Sequence, residues 1–195
     1  MSAFLISSAP SLRQTQITGK QASASSIEFE DWTEVSRLGF RGPQAEAFLI
    51  AEKLPVPDQP NQALLDDSGI RVLRLSKSEF WLIDEAQQNT QRLYEIETRG
   101  LQQQEVYRLY CQHSHAMFMC RGVDCGTMFA KVCGVDLTQG AFAVNQIAQT
   151  SVARVNAIVV NISENPEGAD RYLVLSDLSS SQHLWDAFGD AASEF

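Results

Sequence analysis

Cys111, His113, His115, Cys120, Cys125 and Cys133 crowd one short stretch of the chain, and they are the residue types that hold zinc or attack as thiolates. Their spacing argues against one shared metal. On a continuous strand Cys111, His113 and His115 share a face and Cys120 takes the other, while Cys125 and Cys133 stand about 12 Å apart along a helix. Neither C-x-x-C nor H-E-x-x-H spacing occurs. A packing role fits better. Cys125, Met128, Phe129, Val132 and Cys133 recur at i, i+3, i+4, i+7 and i+8, the stripe of a helix buried on one side, where cysteine acts as a small hydrophobe. Cys120 is then a packing residue at a strand end, and a thiol paired with His113 or His115 is not expected to be a nucleophile.

Other constellations lead to structural roles as well. Asp66-Asp67-Ser68-Gly69 offers two carboxylates for acid–base work, yet Asp and Gly are also what a tight turn between strands selects. Arg74 and Arg154 could clamp an anion, although a mid-strand Arg more often pairs with a carboxylate. Tyr107, Tyr110, Trp81 and Trp185 are spaced as core or core-edge aromatics, without interleaved basic residues that would make a base-stacking platform. No Gly-rich phosphate loop is present. No catalytic, cofactor-binding or metal-binding residue is assigned.

The elements that must position these residues follow from the hydrophobic pattern. The 195 residues are 44% apolar and 20% charged, ordinary for a globular protein, and the net charge of −9 makes nucleic acid and anionic membranes poor partners. The start, Met1 to Gln14, has only Phe4-Leu5-Ile6 as an apolar run, so a signal peptide is not expected. A cytoplasmic location and four reduced thiols are the expectation.

Residues 1–30 read as a polar arm, followed from 31 to 195 by a single α+β domain. A strand through Leu38 and Phe40 leads by Arg41-Gly42 into a helix ending near Leu54, before Pro55, Pro57 and Pro60. Strands follow at 63–65, 70–75 and 80–83, then a polar helix over about 85–98. Val106 to Cys120 reads as one bent strand or two, with a helix over 124–133. Further strand signals lie at 149–162 and 172–175, and the last helix starts near Ser180 with Leu184, Trp185, Phe188, Ala191, Ala192 and Phe195 on one stripe.

The two halves, about 32–100 and 106–195, present the same order, β-α-β-β-β-α. An offset of 80 matches Arg41 with Arg121, Gly42 with Gly122, Gln59 with Gln139, Ala63 with Ala143, Val72 with Val152 and Arg74 with Arg154. After an insertion at 163–170, Phe80 matches Tyr172. Two such halves, related by a pseudo-two-fold, would bury their apolar sheet faces together.

The stretches "EVSRLGFRGPQAEAFLIAEKLPVP", "SKSEFWLID", "FMCRGVDCGTMFAKVCGVDL", "IAQTSVARVNAIVV" and "RYLVLSDLSSSQHLWDAF" resemble the gamma subunit of heterotetrameric sarcosine oxidase over about residues 32–190. The most specific parts are Gly134-Val135-Asp136-Leu137 after a helix, Ala148-Gln149-Thr150 opening a strand, and the Trp-bearing terminal helix. That subunit is similar to the folate-binding domain of aminomethyltransferases such as the glycine-cleavage T-protein, a fold of two related halves.

The resemblance implies a non-catalytic small subunit of a bacterial complex that demethylates sarcosine to glycine, linked to tetrahydrofolate. FAD, FMN, NAD and zinc would belong to the other subunits. The sequence departs from the family at Cys111-Gln112-His113-Ser114, where an acidic residue is usual and only Ser114 is kept. The paired aspartates of the T-protein are not carried onto Asp66-Asp67, because Ser68-Gly69 interrupts the strand that should continue. The alternative is a stand-alone folate-binding protein or one-carbon transferase. Against it, the K-G-C-Y-x-G-Q stretch of related folate-binding proteins is missing and no C-terminal β domain follows, as one does in the T-protein.

Overall fold

A computed structural model describes residues 21–24, 26–164 and 168–195. They divide into two compact units: one spans 34–113, the other takes the described residues up to 33 and those from 114 onward.

The first unit runs β3 (Arg37–Arg41), α1 (Ala45–Ala51), β4 (Gln62–Leu65), β5 (Ile70–Arg74), β6 (Glu79–Asp84), α2 (Thr90–Gly100), β7 (Tyr107–Leu109) and the single turn α3 (Cys111–Ser114), whose last residue falls in the second unit. Its antiparallel sheet has the order β4-β5-β6-β3-β7. One face carries Leu38, Phe40, Ile70, Val72, Phe80 and Leu82 onto Phe48 and Leu49 of α1 and Leu93 and Ile96 of α2. Strand alternation and helical spacing thus build one core.

The second unit holds β1 (Gln21–Ala24), β2 (Ile27–Asp31), β8 (His115–Gly122), α4 (Cys125–Val132), β9 (Ile147–Val152), β10 (Val155–Asn161), β11 (Asp170–Asp177) and α5 (Ser181–Ala192). Its sheet order is β1-β2-β8-β11-β10-β9. Phe29 stacks on Phe188 at 5.5 Å, and Phe118 meets Trp185 at the same centroid distance. Phe129 lies edge-on to Tyr172 at 5.4 Å. Geometries of this kind add to the area that the rings bury.

The α+β class and the repeated βαβββα order are both present. Strands β4-β5-β6-β3 of the first sheet correspond to β9-β10-β11-β8 of the second. Phe40 faces Phe80 across its ladder and Cys120 faces Tyr172 across the other, so the match of Phe80 with Tyr172 holds. Gly42 and Gly122 occupy equivalent turns, with φ of 143° and 149°. A Cβ would lie 2.0 Å from the Glu105 oxygen at one and from the Ser26 oxygen at the other, so both positions demand glycine.

Beyond the helices, the ungapped offset fails. Ladder register equates Ala63 with Ile147, Val72 with Val159 and Arg74 with Asn161, not with Ala143, Val152 and Arg154. The second unit has longer connections, so the offset grows from 80 at Cys120 to 92 at Tyr172. The polar roles survive the shift: Arg74 donates to the Pro57 carbonyl at 2.7 Å, and Asn161 Nδ2 to the Phe142 carbonyl at 2.7 Å.

Each sheet takes its next strand from the chain leading into the other unit. β2 lies just before β3 in sequence but pairs with β8, whereas β7 lies just before β8 but pairs with β3.

Two local readings are corrected and a third is decided. Residues 21–24 and 27–30, assigned to the polar arm, form the paired strands β1 and β2, and Ile27 and Phe29 of β2 alternate onto the second core; residues 1–20 of that arm lie outside the described residues. The helix expected from 85 starts at Thr90, since buried Asp84 accepts from Asn89 N at 2.7 Å and Asn89 Nδ2 at 2.9 Å and holds the chain back. The stretch 106–120, read as one bent strand or two, is two, β7 and β8. Buried Arg37 gathers the carbonyls of Cys111 and Gln112 and so turns that segment into α3.

Candidate functional site

The cysteine and histidine list is dispersed by the fold. Cys111 and His113 lie in α3 of the first unit, and His115 opens β8 in the second. Burial pushes the Cys111 thiol up to about 11 against the opposing pull of Arg37 and Arg108. Burial also raises Cys120, helped by neighbouring Cys125, and raises Cys125, helped by Asp170 and Asp124. These thiols remain protonated at neutral pH, which makes them inert as nucleophiles. Burial lowers His113, and the charges of Arg108 and Arg37 add to the effect. Among the described residues, no group of three or more His, Cys, Asp or Glu could hold a metal ion.

The acidic loop is a hairpin turn. Asp66 Oδ1 accepts from Ser68 N at 2.9 Å, Ser68 Oγ at 2.8 Å and Ile70 N at 2.8 Å, and its other oxygen meets Arg92 at 2.6 Å. Burial works against this charge, but the bonds from Ile70, Ser68 and Arg92 hold the carboxyl below its ordinary range.

The two arginines differ. Buried Arg74 makes a bidentate pair with Glu46 at 2.8 Å and lies over Phe80. Arg154 stands exposed in the β9–β10 turn at φ 68°. They are not equivalent and form no common clamp. Arg92, Arg99 and Arg41 are engaged by Asp66, Glu52 and Glu79, and Arg108 by Glu97 in the interior. The aromatics divide: Trp81 and Trp185 are buried, while Tyr107 and Tyr110 are exposed and Tyr110 has the Arg108 guanidinium 4.0 Å from its ring centre.

Two concavities went unnoticed in the sequence. In the second unit, β8, β9, β10 and β11 form a recess of about 340 Å³ lined by His115, Gln149, Thr150, Asn156, Ile158 and Leu175. Ser114 Oγ lies 2.8 Å from His115 Nδ1 beside it. In the first unit, α1 and the segment after α2 enclose a groove of about 540 Å³ with Phe48 and Val106 among its apolar lining residues. Gln44, Gln102, Gln103 and Gln104 also line it, with Glu52 and Arg99 joined at 2.8 Å. Gln149 and Thr150 belong to the triplet that marked the family resemblance.

The exposed large apolar side chains are unevenly shared. Ile50, Leu64, Leu65, Leu101, Tyr107 and Tyr110 belong to the first unit, Val123 and Val135 to the second. They are spread over α1, the segment after α2, and β4 and β7 at opposite ends of the sheet.

No protein-family model matches the chain, and no curated protein is close enough in sequence to match. Solved structures do match. A chain of the heterotetrameric sarcosine oxidase from Corynebacterium sp. U-96, solved in complex with pyrrole 2-carboxylate, superposes with a TM-score of 0.72 at 24% identity, covering 92% of this chain and 90% of that one. The glycine cleavage system aminomethyltransferase T from Bartonella henselae superposes at 0.57 with 16% identity, covering 86% of this chain and 47% of that one. The chain thus spans about half the length of that aminomethyltransferase. The fold is the one these proteins share.

Proposed function

We propose that this chain is a non-catalytic subunit of a sarcosine oxidase-type complex, to which it contributes binding surface while flavin chemistry resides in its partners. The observation that carries this reading is the two-way coverage of the oxidase chain, 92% against 90%, at a TM-score of 0.72. The raised thiols and the engaged arginines support it, because neither offers a nucleophile or an open anion clamp. The exposed apolar side chains of the first unit are where a partner would gain by burying surface.

Affinity purification of the tagged chain from its own cells tests the reading. It should bring down flavin-containing subunits whose sarcosine-dependent peroxide production the chain alone lacks. Recovery of the chain by itself, or sarcosine turnover by the isolated chain, would overturn it. Folate binding by this chain is the second reading, supported by its likeness to the aminomethyltransferase. A rise in melting temperature with added tetrahydrofolate would favour it.

A further inference from the structure

In each unit the residues that follow the second helix come back against the first, and the two units finish that approach differently. α2 ends at Gly100 and α5 at Ala192, the same shift of 92 that separates Phe80 from Tyr172. In the second unit the place is closed. Lys131 of α4 lies over the Phe195 ring, 4.7 Å from its centre, pairs with Glu194 at 2.6 Å and donates to the Ala191 carbonyl at 3.2 Å. Phe195 packs against the second core. The corresponding residues of the first unit are Ala51 and Gln103, and both line the groove of about 540 Å³. A ring under a long side chain fills one place, whereas a methyl group and a carboxamide leave the other hollow.

We infer that this groove receives an aromatic side chain of a different protein, carried on a segment with lysine or arginine beside it. Buried Phe48 and Val106 give a ring an apolar floor. Gln44, Gln102, Gln103 and Gln104 offer carboxamides, each both donor and acceptor, to the backbone on either side of the ring. Charge sets the neighbour. The segment after α2 runs back along α1, from Arg99 joined to Glu52 at 2.8 Å to Glu105, whose carbonyl accepts from Gln44 N at 3.3 Å. Arg99 is thereby engaged, while Glu105 is exposed and in no ion pair with a described residue. Lys53 stands beyond the opposite end of α1. A cation next to the aromatic therefore meets an unanswered carboxylate at the Gln44 end. A second copy of this chain fits poorly. Its exposed aromatics, Tyr107 and Tyr110, flank Arg108, which Glu97 already holds in the interior.

The inference rests on the subunit reading only for which protein supplies the aromatic, so the groove is tested separately. The probe is a short peptide with one phenylalanine between lysines, titrated into the full chain and followed by NMR. Its twins carry serine for the phenylalanine or glutamates for the lysines. Amide shifts should appear at Ala47, Ala51 and Gln103 and be missing at Thr127 and Lys131. Either twin should bind about tenfold or more weakly. Ala51→Lys with Gln103→Phe, which copies the closure of the second unit, should weaken the lysine peptide to the same degree. Glu105→Lys should reverse the preference between the lysine and glutamate peptides. No binding, equal binding of either twin, shifts at α4, full binding by the double variant, or a preference that Glu105→Lys leaves unchanged would each overturn the proposal. So would a Phe4→Ser variant that binds far more tightly than the unaltered chain, since the chain's own start would then be the occupant. Failure to co-purify with flavin-containing subunits would instead sink the subunit reading and leave the peptide result standing.

Discussion

The two units run in parallel as far as the ends of α1 and α4, and there they part. After α1 the chain turns left-handed at Lys53, φ 60°, and Leu54 N returns to the Leu49 carbonyl before three prolines carry it to β4. After α4, Cys133 is extended, bridges to Val152, and lies buried, while Ala153 N donates to the Val132 carbonyl at 2.7 Å. One exit is closed by local backbone geometry. The other is closed by a strand whose Val152 lies 19 residues downstream. A repeated fold can thus keep its strand–turn–helix intact while the path after the helix is rebuilt, and that is where the offset begins to grow.

The shared part breaks hardest. Gly42→Ala and Gly122→Ala each force a Cβ against a carbonyl oxygen in a backbone region closed to alanine, so each should cost on the order of 3 kcal/mol in chemical denaturation. Comparable losses confirm that the turns are equivalent. A mild Gly42→Ala beside a severe Gly122→Ala would show that one unit absorbs what the other cannot.

The diverged exit of the second unit is sharpened by Cys133. Cys133→Ala should cost about 1 kcal/mol, since it removes a small buried side chain, while the more disruptive Cys133→Asp introduces a desolvated carboxylate. Thermal melts should rank parent, Ala and Asp in that order. The Lys53→Ala variant, at the exposed counterpart in the first unit, would instead register the loss of a left-handed residue's fit only weakly. Asp as stable as the parent would mean that the thiol faces solvent.

The smallest effect belongs to the hairpin of the first unit. With its carboxyl lowered in the folded state, Asp66 contributes stability above the ordinary carboxylate range. That contribution fades as pH falls through the lowered folded value, below about pH 4. Asp66→Asn should flatten this acid-side decline in melts taken across pH. An unchanged decline would place the acid sensitivity elsewhere.

Much of this frame was legible because periodicity reports which side chains share a face. The match of Phe80 with Tyr172 needed only the strand pattern and one allowed insertion. Ala63, Val72 and Arg74 were matched wrongly because identity at a fixed offset cannot register small insertions spread over three connections. Ile27 and Phe29 were hidden by the acidic residues between and after them, which made β2 read as arm. Arg37 acts on carbonyls 74 and 75 residues away, so no local signal announced α3. The recess beside Ser114 and His115 assembles from four strands, and the groove beside Phe48 from α1 and the segment after α2. Neither hollow is a property of a sequence window.

The crossed assignment of β2 and β7 has a consequence for the order of synthesis. Ile27 and Phe29 leave the ribosome long before Cys120 and Gly122, the residues opposite them in the ladder, have been translated. At roughly 5–20 residues per second, the interval is on the order of ten seconds. The first sheet can meanwhile close on its own β7, whose Tyr107–Leu109 follows directly on the rest of that unit. A nascent chain therefore carries β2 without its β8 neighbour until residues 115–122 have been made.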